Sequence, residues 1–573
     1  MEKPSHASLL GILKRNLAWI QWDGWSLLIL LLTGPVILPV LSVLLSLLSD
    51  QREIWQHLSA TVLPTYLRNT LVLMVGVSLG VAALGTATAW VISTGDFWGR
   101  RWLEWALVLP LAAPTYVLAY AYTDFLQVTG LFQVWLRQWT GWQLGEYWFP
   151  NIRSVQGVVL LLVLTLYPYV YLSARLAFQE QSVVSLEVSR SLGQGPWGSF
   201  WRVAVPMARP AIFGGTLLAL METLNDFGTV SYFGVDTLTT GIYRTWTAMN
   251  NRVAASQLAA LLLLLVLGLI GLEQFSRRRA RYYLQGGQQR IPRYELRGWR
   301  GWGARILCGL PVLFGFGIPA AILIYMTWRQ VQTSWSASFW DYARNSLMVS
   351  LLAAVLTATV AVVVLYGLRL KRLNGGSRGS IKGLQTVVRL GSLGYALPGL
   401  VIAAGGVQPL GWLDNTIDGW SRHWFNHSTG LLLSGTLVAL LFAYLVRFLA
   451  VAFATFDSSL IRVPPSLDEA ARSLGSGSLQ TLLRIHLPLV WNGILGAALL
   501  VFVDVMKELP ATLVLRPFNF DTLAARAYRV ASDERLAEAG APALAIVLVG
   551  ILPVILLNQR LSTPSQKQDP DPE

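Results

Sequence analysis

The sequence predicts an all-α integral membrane protein, with about twelve membrane-crossing helices in two homologous six-helix halves. Three observations carry that prediction. Hydrophobic residues fill 54% of the 573 positions and charged residues only 13%, with a mean hydropathy of +0.51; a soluble domain carries roughly 25% charge. The apolar stretches run to about 20 residues, the length at which a helix crosses a hydrocarbon core, whereas barrel strands would show short alternating segments. Finally, a ladder of motif residues recurs once along the chain.

The first apolar run, 27–48, follows Lys3, Lys14 and Arg15. It is long for the h-region of a signal peptide, has no clear small-residue cleavage site, and reads as a retained first span. Further spans are expected at 69–92, 102–127, 155–177, 212–233, 256–275, 306–327, 345–367, 386–407, 430–453, 491–513 and 541–559. Many of the 24 Trp and 19 Tyr fall at their ends, where an amphipathic ring suits the headgroup zone. With both termini cytoplasmic, the segments on that side hold more than twice as many Lys and Arg as those opposite, which is the expected sense of the charge bias. The richest segment, 276–305, reads as a basic cytoplasmic linker between a first half at 1–275 and a second at 306–561, with 562–573 as a polar tail. The formal charge of +14 does not indicate a nucleic-acid binder, because the basic residues flank spans on one side. A single cysteine, Cys308, excludes an internal disulfide or a cysteine metal cluster and reads as a small buried hydrophobe.

The repeat is specific. Glu187, Arg190, Ser191, Leu192, Gly193 and Pro206 recur as Glu469, Arg472, Ser473, Leu474, Gly475 and Pro488, always 282 residues later. The same shift sets Glu222 against Asp504 and Asp226 against Glu508. An even number of spans in each half makes these parallel repeats, with a pathway expected between them. Both ladders fall between the fourth and fifth spans of their half, at 185–206 and 466–488. Each starts with Ser-Leu and an acidic helical segment, breaks at Gly193 or Gly475, resumes as a second helix, and is expected to stop at Pro206 or Pro488. A Glu/Arg pair three residues apart is placed to clasp the first turn. Such a knob suits docking into another protein.

The second copy, Glu469-Ala470-Ala471 with Arg472, Gly475 and Ile485-His486-Leu487-Pro488, resembles the EAA loop of ABC importer permeases of type I architecture. The first departs from it, with Val188-Ser189 in place of the alanine pair, but shares the register. The resemblance implies a coupling helix docked on a cytoplasmic ABC ATPase subunit dimer. No G-x-x-x-x-G-K-[ST] loop occurs, so ATP and Mg are expected on that partner; this chain is expected to bind no cofactor and to catalyse no reaction. The stretches 221–246 and 506–544 look like those of ferric-iron permeases with two fused halves. That implies a periplasmic ferric-binding protein as the second partner and residence in the bacterial inner membrane, among lipid. Permeases for thiamine, phosphonate, sulfate, molybdate and polyamine share the coupling loops and are the alternative cargo classes. An ion-coupled secondary transporter would also use repeats and intramembrane acids, but not paired coupling loops.

Ionisable groups inside spans are costly and usually face a path, a partner or water. Glu222, Asp226, Asp504, Lys507 and Glu508 are therefore candidates for the pathway or its gate, with Asp226 and Glu508 offering hard oxygen ligands to a trivalent cation. The alternative has Lys507 neutralising Asp504 or Glu508 and the remaining acids bonding to interrupted backbone near Gly228 and Pro510. Tyr232, Tyr243 and Tyr528 suit interfacial anchoring, and His423 with His427 forms a weak metal candidate. No metal ligand set is assigned.

Overall fold

The computed structural model describes residues 23–180, 189, 191, 193–279, 293–330, 335–373 and 377–562. Its principal elements in chain order are α1 (Gly24–Ser46), α2 (Leu63–Thr94), β1 (Gly95–Asp96), α3 (Arg100–Ala106), α4 (Thr115–Leu126), α5 (Val155–Glu180), α6 (Val205–Asn225), α7 (Gly228–Tyr232) and α8 (Arg252–Arg279). After these come β2 (Tyr294–Glu295), α9 (Gly298–Val312), α10 (Ile318–Arg329), α11 (Ala337–Leu373), α12 (Arg378–Gly391), α13 (Gly399–Phe425) and α14 (Leu437–Leu460). The last are α15 (Pro465–Ser473), α16 (Leu487–Met506), α17 (Pro510–Leu515), α18 (Leu523–Ser532) and α19 (Leu536–Ser562).

Among the described residues, ten helical stretches are long and apolar enough to cross a membrane, and a bent pair makes an eleventh if it counts as one span. The straight spans predicted over 102–127 and 386–407 are both broken. Pro114 disfavours helical geometry at Ala113, which is extended (φ −103°, ψ 122°), and the chain bends there by 92°. Leu397, before Pro398, is extended in the same way (φ −82°, ψ 130°) between α12 and α13. The spans predicted over 212–233 and 491–513 also end early, at Asn225 and Met506, and resume as the short helices α7 and α17.

Pro206 and Pro488 do not stop their helices, contrary to the sequence expectation. Three π-helical segments, Phe200–Ala204, Leu313–Gly317 and Leu482–His486, each end two residues before a proline, Pro206, Pro319 or Pro488. A widened turn makes room for the ring, and the missing N–H falls where the bonding pattern is already shifted, so the helix runs on.

The chain forms two compact units that group the helices differently from the sequence halves. One joins the residues up to 50 with 344–520; the other joins 51–343 with those from 521 onward. In the first unit α1 packs on α12 and α13. A Cβ at Gly405 would lie 2.1 Å from the Pro39 carbonyl, so only glycine admits that approach. Asp23, which caps α1, pairs with Lys371 at 2.7 Å. Leu27, Leu31, Leu38, Leu41 and Leu45 of α1 stay exposed, a stripe that acyl chains accept without the cost water would impose. In the second unit α19 packs on α10 and on the 3-10 turn Leu109–Ala112, where a Cβ at Gly550 would lie 2.0 Å from the Ala112 carbonyl. Here β1 and β2 pair in parallel, tying residues 95–96 to 294–295.

Candidate functional site

The second repeated loop is built around α15, which ends at a left-handed Gly475 (φ +76°). The Gly475 N–H donates to the Arg472 carbonyl and the Ser476 N–H to the Ala471 carbonyl, both at 3.0 Å. This closure satisfies carbonyls that a helix end leaves open, and it requires a residue tolerant of positive φ. In the first loop Glu187 and Arg190 lie outside the described residues. Gly193 is again left-handed (φ +81°), and the Gln194 N–H donates to the Ser189 carbonyl at 3.1 Å. That bond is the equivalent, 282 residues earlier, of the one from Ser476 to Ala471.

On the second loop Glu469, Ala470, Arg472 and Leu474 are exposed, Leu474 by 84%, while Asp468 and Ala471 are buried. The predicted clasp between Glu469 and Arg472 is absent from the described ion pairs; two exposed charges gain too little from pairing to hold long side chains in place. Asp468 fixes the helix instead. Its carboxylate pairs with Arg369 near the end of α11 at 2.7 Å and bonds to His486 Nε2 at 2.8 Å. Arg369 also donates to the carbonyls of Leu460 (3.0 Å) and Val463 (2.8 Å), where α14 runs out, and the Tyr366 hydroxyl donates to the Ser478 carbonyl at 2.7 Å. One span, α11, therefore grips the loop through Arg369 and Tyr366, side chains that the motif does not contain, and His486 adds a bond from within the loop. Asp468 adjoins the motif acid and His486 lies inside its last four residues, which is the signal that could have found them; Arg369 lies about 100 residues away and gives none.

Asp226 and Glu508 occupy equivalent places at the two breaks. Asp226 accepts from the Thr229 N–H (3.1 Å), the Thr229 hydroxyl (2.8 Å) and the Val230 N–H (3.1 Å), which cap α7. Glu508 accepts from the Ala511 N–H (2.9 Å), the Thr512 N–H (3.1 Å) and the Thr512 hydroxyl (2.6 Å), which cap α17. It is buried and also pairs with Arg447 at 2.9 Å. Each acid holds a helix start that the break leaves open. Lys507 pairs with Asp504 at 2.8 Å, and Glu222 lies half-buried one turn before Asp226. The cavity beside Asp226, lined by Thr70, Thr223 and Thr237, measures about 10 Å³, room for about one water molecule.

Tyr232 is buried, its ring 4.8 Å from that of Tyr120, and Tyr243 and Tyr528 flank Phe227 with centroids at 4.8 and 5.7 Å. These tyrosines contribute to the packing around α7. His423 is in the last turn of α13 and His427 lies beyond the left-handed Asn426 that ends it, so they share no helix face. Among the described residues no three His, Cys, Asp or Glu side chains come together as a metal site. Cys308 is buried, as expected.

The family model of the binding-protein-dependent transport system inner membrane component matches residues 81–281 and again 382–563, well over half of the chain. The chain is 29% identical over 553 residues to the Fe(3+)-transport system permease protein FbpB 2 of Haemophilus influenzae, an alignment covering 93% of this chain and 98% of that protein. It is 28% identical over 232 residues to the probable sulfate transport system permease protein cysT of Nephroselmis olivacea, covering 39% of this chain and 75% of that one. With the molybdenum transport system permease protein ModB of Escherichia coli K12 it shares 29% identity over 149 residues, 26% of this chain and 62% of that one.

Proposed function

Since the chain belongs to the family of binding-protein-dependent transport system inner membrane components, we propose that it is the membrane permease of an ATP-driven importer and that its cargo is ferric iron. The observation that carries the cargo is similarity at nearly full length, through both halves, to a permease named for Fe(3+) transport. The sulfate and molybdenum relatives align with only 39% and 26% of the chain.

In this reading α15 and the first repeated loop at 185–206 are the coupling segments that dock on a pair of cytoplasmic ATPase subunits, placing both termini in the cytoplasm. Glu469, Ala470, Arg472 and Leu474 form the exposed docking face. Movement of that face passes through Asp468 and Arg369 to α11 and through His486 to α16. A periplasmic ferric-binding protein delivers the ion on the opposite side. Asp226 and Glu508 act as caps that keep the broken spans in shape, and cargo ligation falls to other groups. ATP hydrolysis belongs to the partner.

The decisive experiment measures uptake of radioactive ferric iron in cells lacking the protein and in cells restored with it. Loss on deletion and return on restoration is the expected result. Undiminished iron uptake after deletion, with loss of sulfate or molybdate uptake instead, would assign the importer to that anion.

A further inference from the structure

One surface of the second unit has no part in the coupling loops or the broken spans. Where α3 and α9 begin, the β1–β2 ladder ties the turn after α2 to the segment leading into α9. The carboxylates there are already engaged: Asp96 and Glu104 by Arg100 (3.8 and 3.1 Å), Glu104 also by Arg175, and Glu295 by Arg297. Arg101, Arg300 and Arg305 are left with no acidic partner among the described residues. Arg305 lies between two indoles, 5.5 Å from the Trp98 ring centre and 4.8 Å from that of Trp302, and its buried Nε has no hydrogen-bond partner among the described residues. Arg300 lies 5.8 Å from the Trp299 ring. Trp98 and Trp299 are each 79% exposed.

The patch sits where two apolar stretches meet their polar ends, Leu63–Thr94 before β1 and Gly298–Arg329 from the start of α9. Exposed indoles there match the headgroup zone of a bilayer. Unpaired guanidinium groups beside them match a phosphate oxyanion, which a planar fork can grip with two bonds. We infer that this patch binds the phosphate headgroup of an anionic phospholipid. A zwitterionic headgroup brings no net charge to offset the arginines, and an acidic protein segment offers no acyl chain to cover the indoles. Basic pockets between the ends of membrane helices hold anionic lipid for the same reason. A lipid bound here bridges the turn after α2 and the start of α9, reinforcing the two-residue ladder that is their backbone link.

The test uses the full-length protein, purified in mild detergent and stripped of lipid, comparing wild type with Arg300→Gln/Arg305→Gln. Binding is followed by native mass spectrometry and by thermal stabilisation on adding phosphatidylglycerol, phosphatidylcholine, inorganic phosphate or a polyglutamate peptide. Wild type should retain and be stabilised by phosphatidylglycerol alone. The double variant should bind it roughly 30-fold more weakly, from the contribution one arginine makes near an anionic surface. Should the double variant fold poorly, the exposed single changes Arg101→Gln and Arg300→Gln replace it, each expected to weaken binding about fivefold. Equal stabilisation by phosphatidylcholine, equal response of the variants, or saturation by phosphate alone overturns the lipid assignment. Stabilisation by polyglutamate without phosphatidylglycerol transfers the patch to a protein partner and overturns it as well.

Discussion

Asp468, Arg369 and His486 show what a single buried charge does for an exposed loop. Replacing Asp468 with alanine leaves Arg369 without its counter-charge in a site where the acid is almost fully buried, and removing one partner of such a pair costs about 3–5 kcal/mol. Thermal unfolding of the purified variant should fall accordingly, and iron uptake with it. Asp226→Asn should behave differently, because asparagine caps a helix about as well as aspartate. Uptake within about twofold of wild type is expected if Asp226 serves as a cap, whereas a loss of an order of magnitude at normal abundance would make it a cargo ligand. Glu508→Gln keeps the cap acceptor but strands Arg447, so it should be the more damaging of the two. At the exposed end of the range, Arg153 donates to Glu534 at 2.8 Å and holds that carboxyl below its ordinary value. Since the folded form has the lower pKa, this contribution is complete above about pH 4.3, the ordinary glutamate value, and fades as pH falls through the folded one. The difference in thermal stability between wild type and Glu534→Gln should therefore shrink on acidification. Spacing in the sequence marked Asp226 and Glu508 as a matched pair. It left open whether they met cargo or backbone, because that depends on where the helix breaks, a three-dimensional fact.

At the scale of elements, the repeat marked the turn glycines of the two repeated loops, because a left-handed residue at a helix end leaves a glycine in the sequence, whereas the prolines taken as their ends lie inside continuing helices. Changing Gly193 and Gly475 together to valine forces a branched side chain into that region at a cost of about 1–2 kcal/mol for each. Protein that reaches the membrane but has lost iron uptake is the expected outcome, and full uptake would remove the loops from the coupling mechanism. The broken third spans were harder to read. Leu-Ala-Ala-Pro at 111–114 and Tyr-Ala-Leu-Pro at 395–398 lie in apolar runs that hydropathy joins into one helix each. The prolines were visible, but proline also occurs inside continuous helices of this chain, at Pro35, Pro39 and Pro168. What separates the cases is whether the residue before the proline turns extended, and neighbouring helices decide that.

The whole molecule departs most from the sequence in how its helices are grouped. Periodicity and repeat divide the chain at its middle, yet α1 packs with helices of the second half, and α19, besides α10 and α18 of its own half, packs on α4 and the 3-10 turn Leu109–Ala112 of the first. Expressing residues 51–573 alone should give a protein whose unit at 344–520 is readily proteolysed, and supplying residues 1–50 as a separate chain should restore protection; equal resistance with and without α1 would count against the exchange. There is a further consequence in time. Among the described helices α1 leaves the ribosome first, but α13, which receives it across Gly405, is finished only at residue 425. At bacterial elongation speeds of about 5–20 residues per second, that delay is roughly 20–75 s. Throughout it, α1 must wait in the bilayer without the helix that Gly405 lets it approach, and correct assembly depends on its staying within reach.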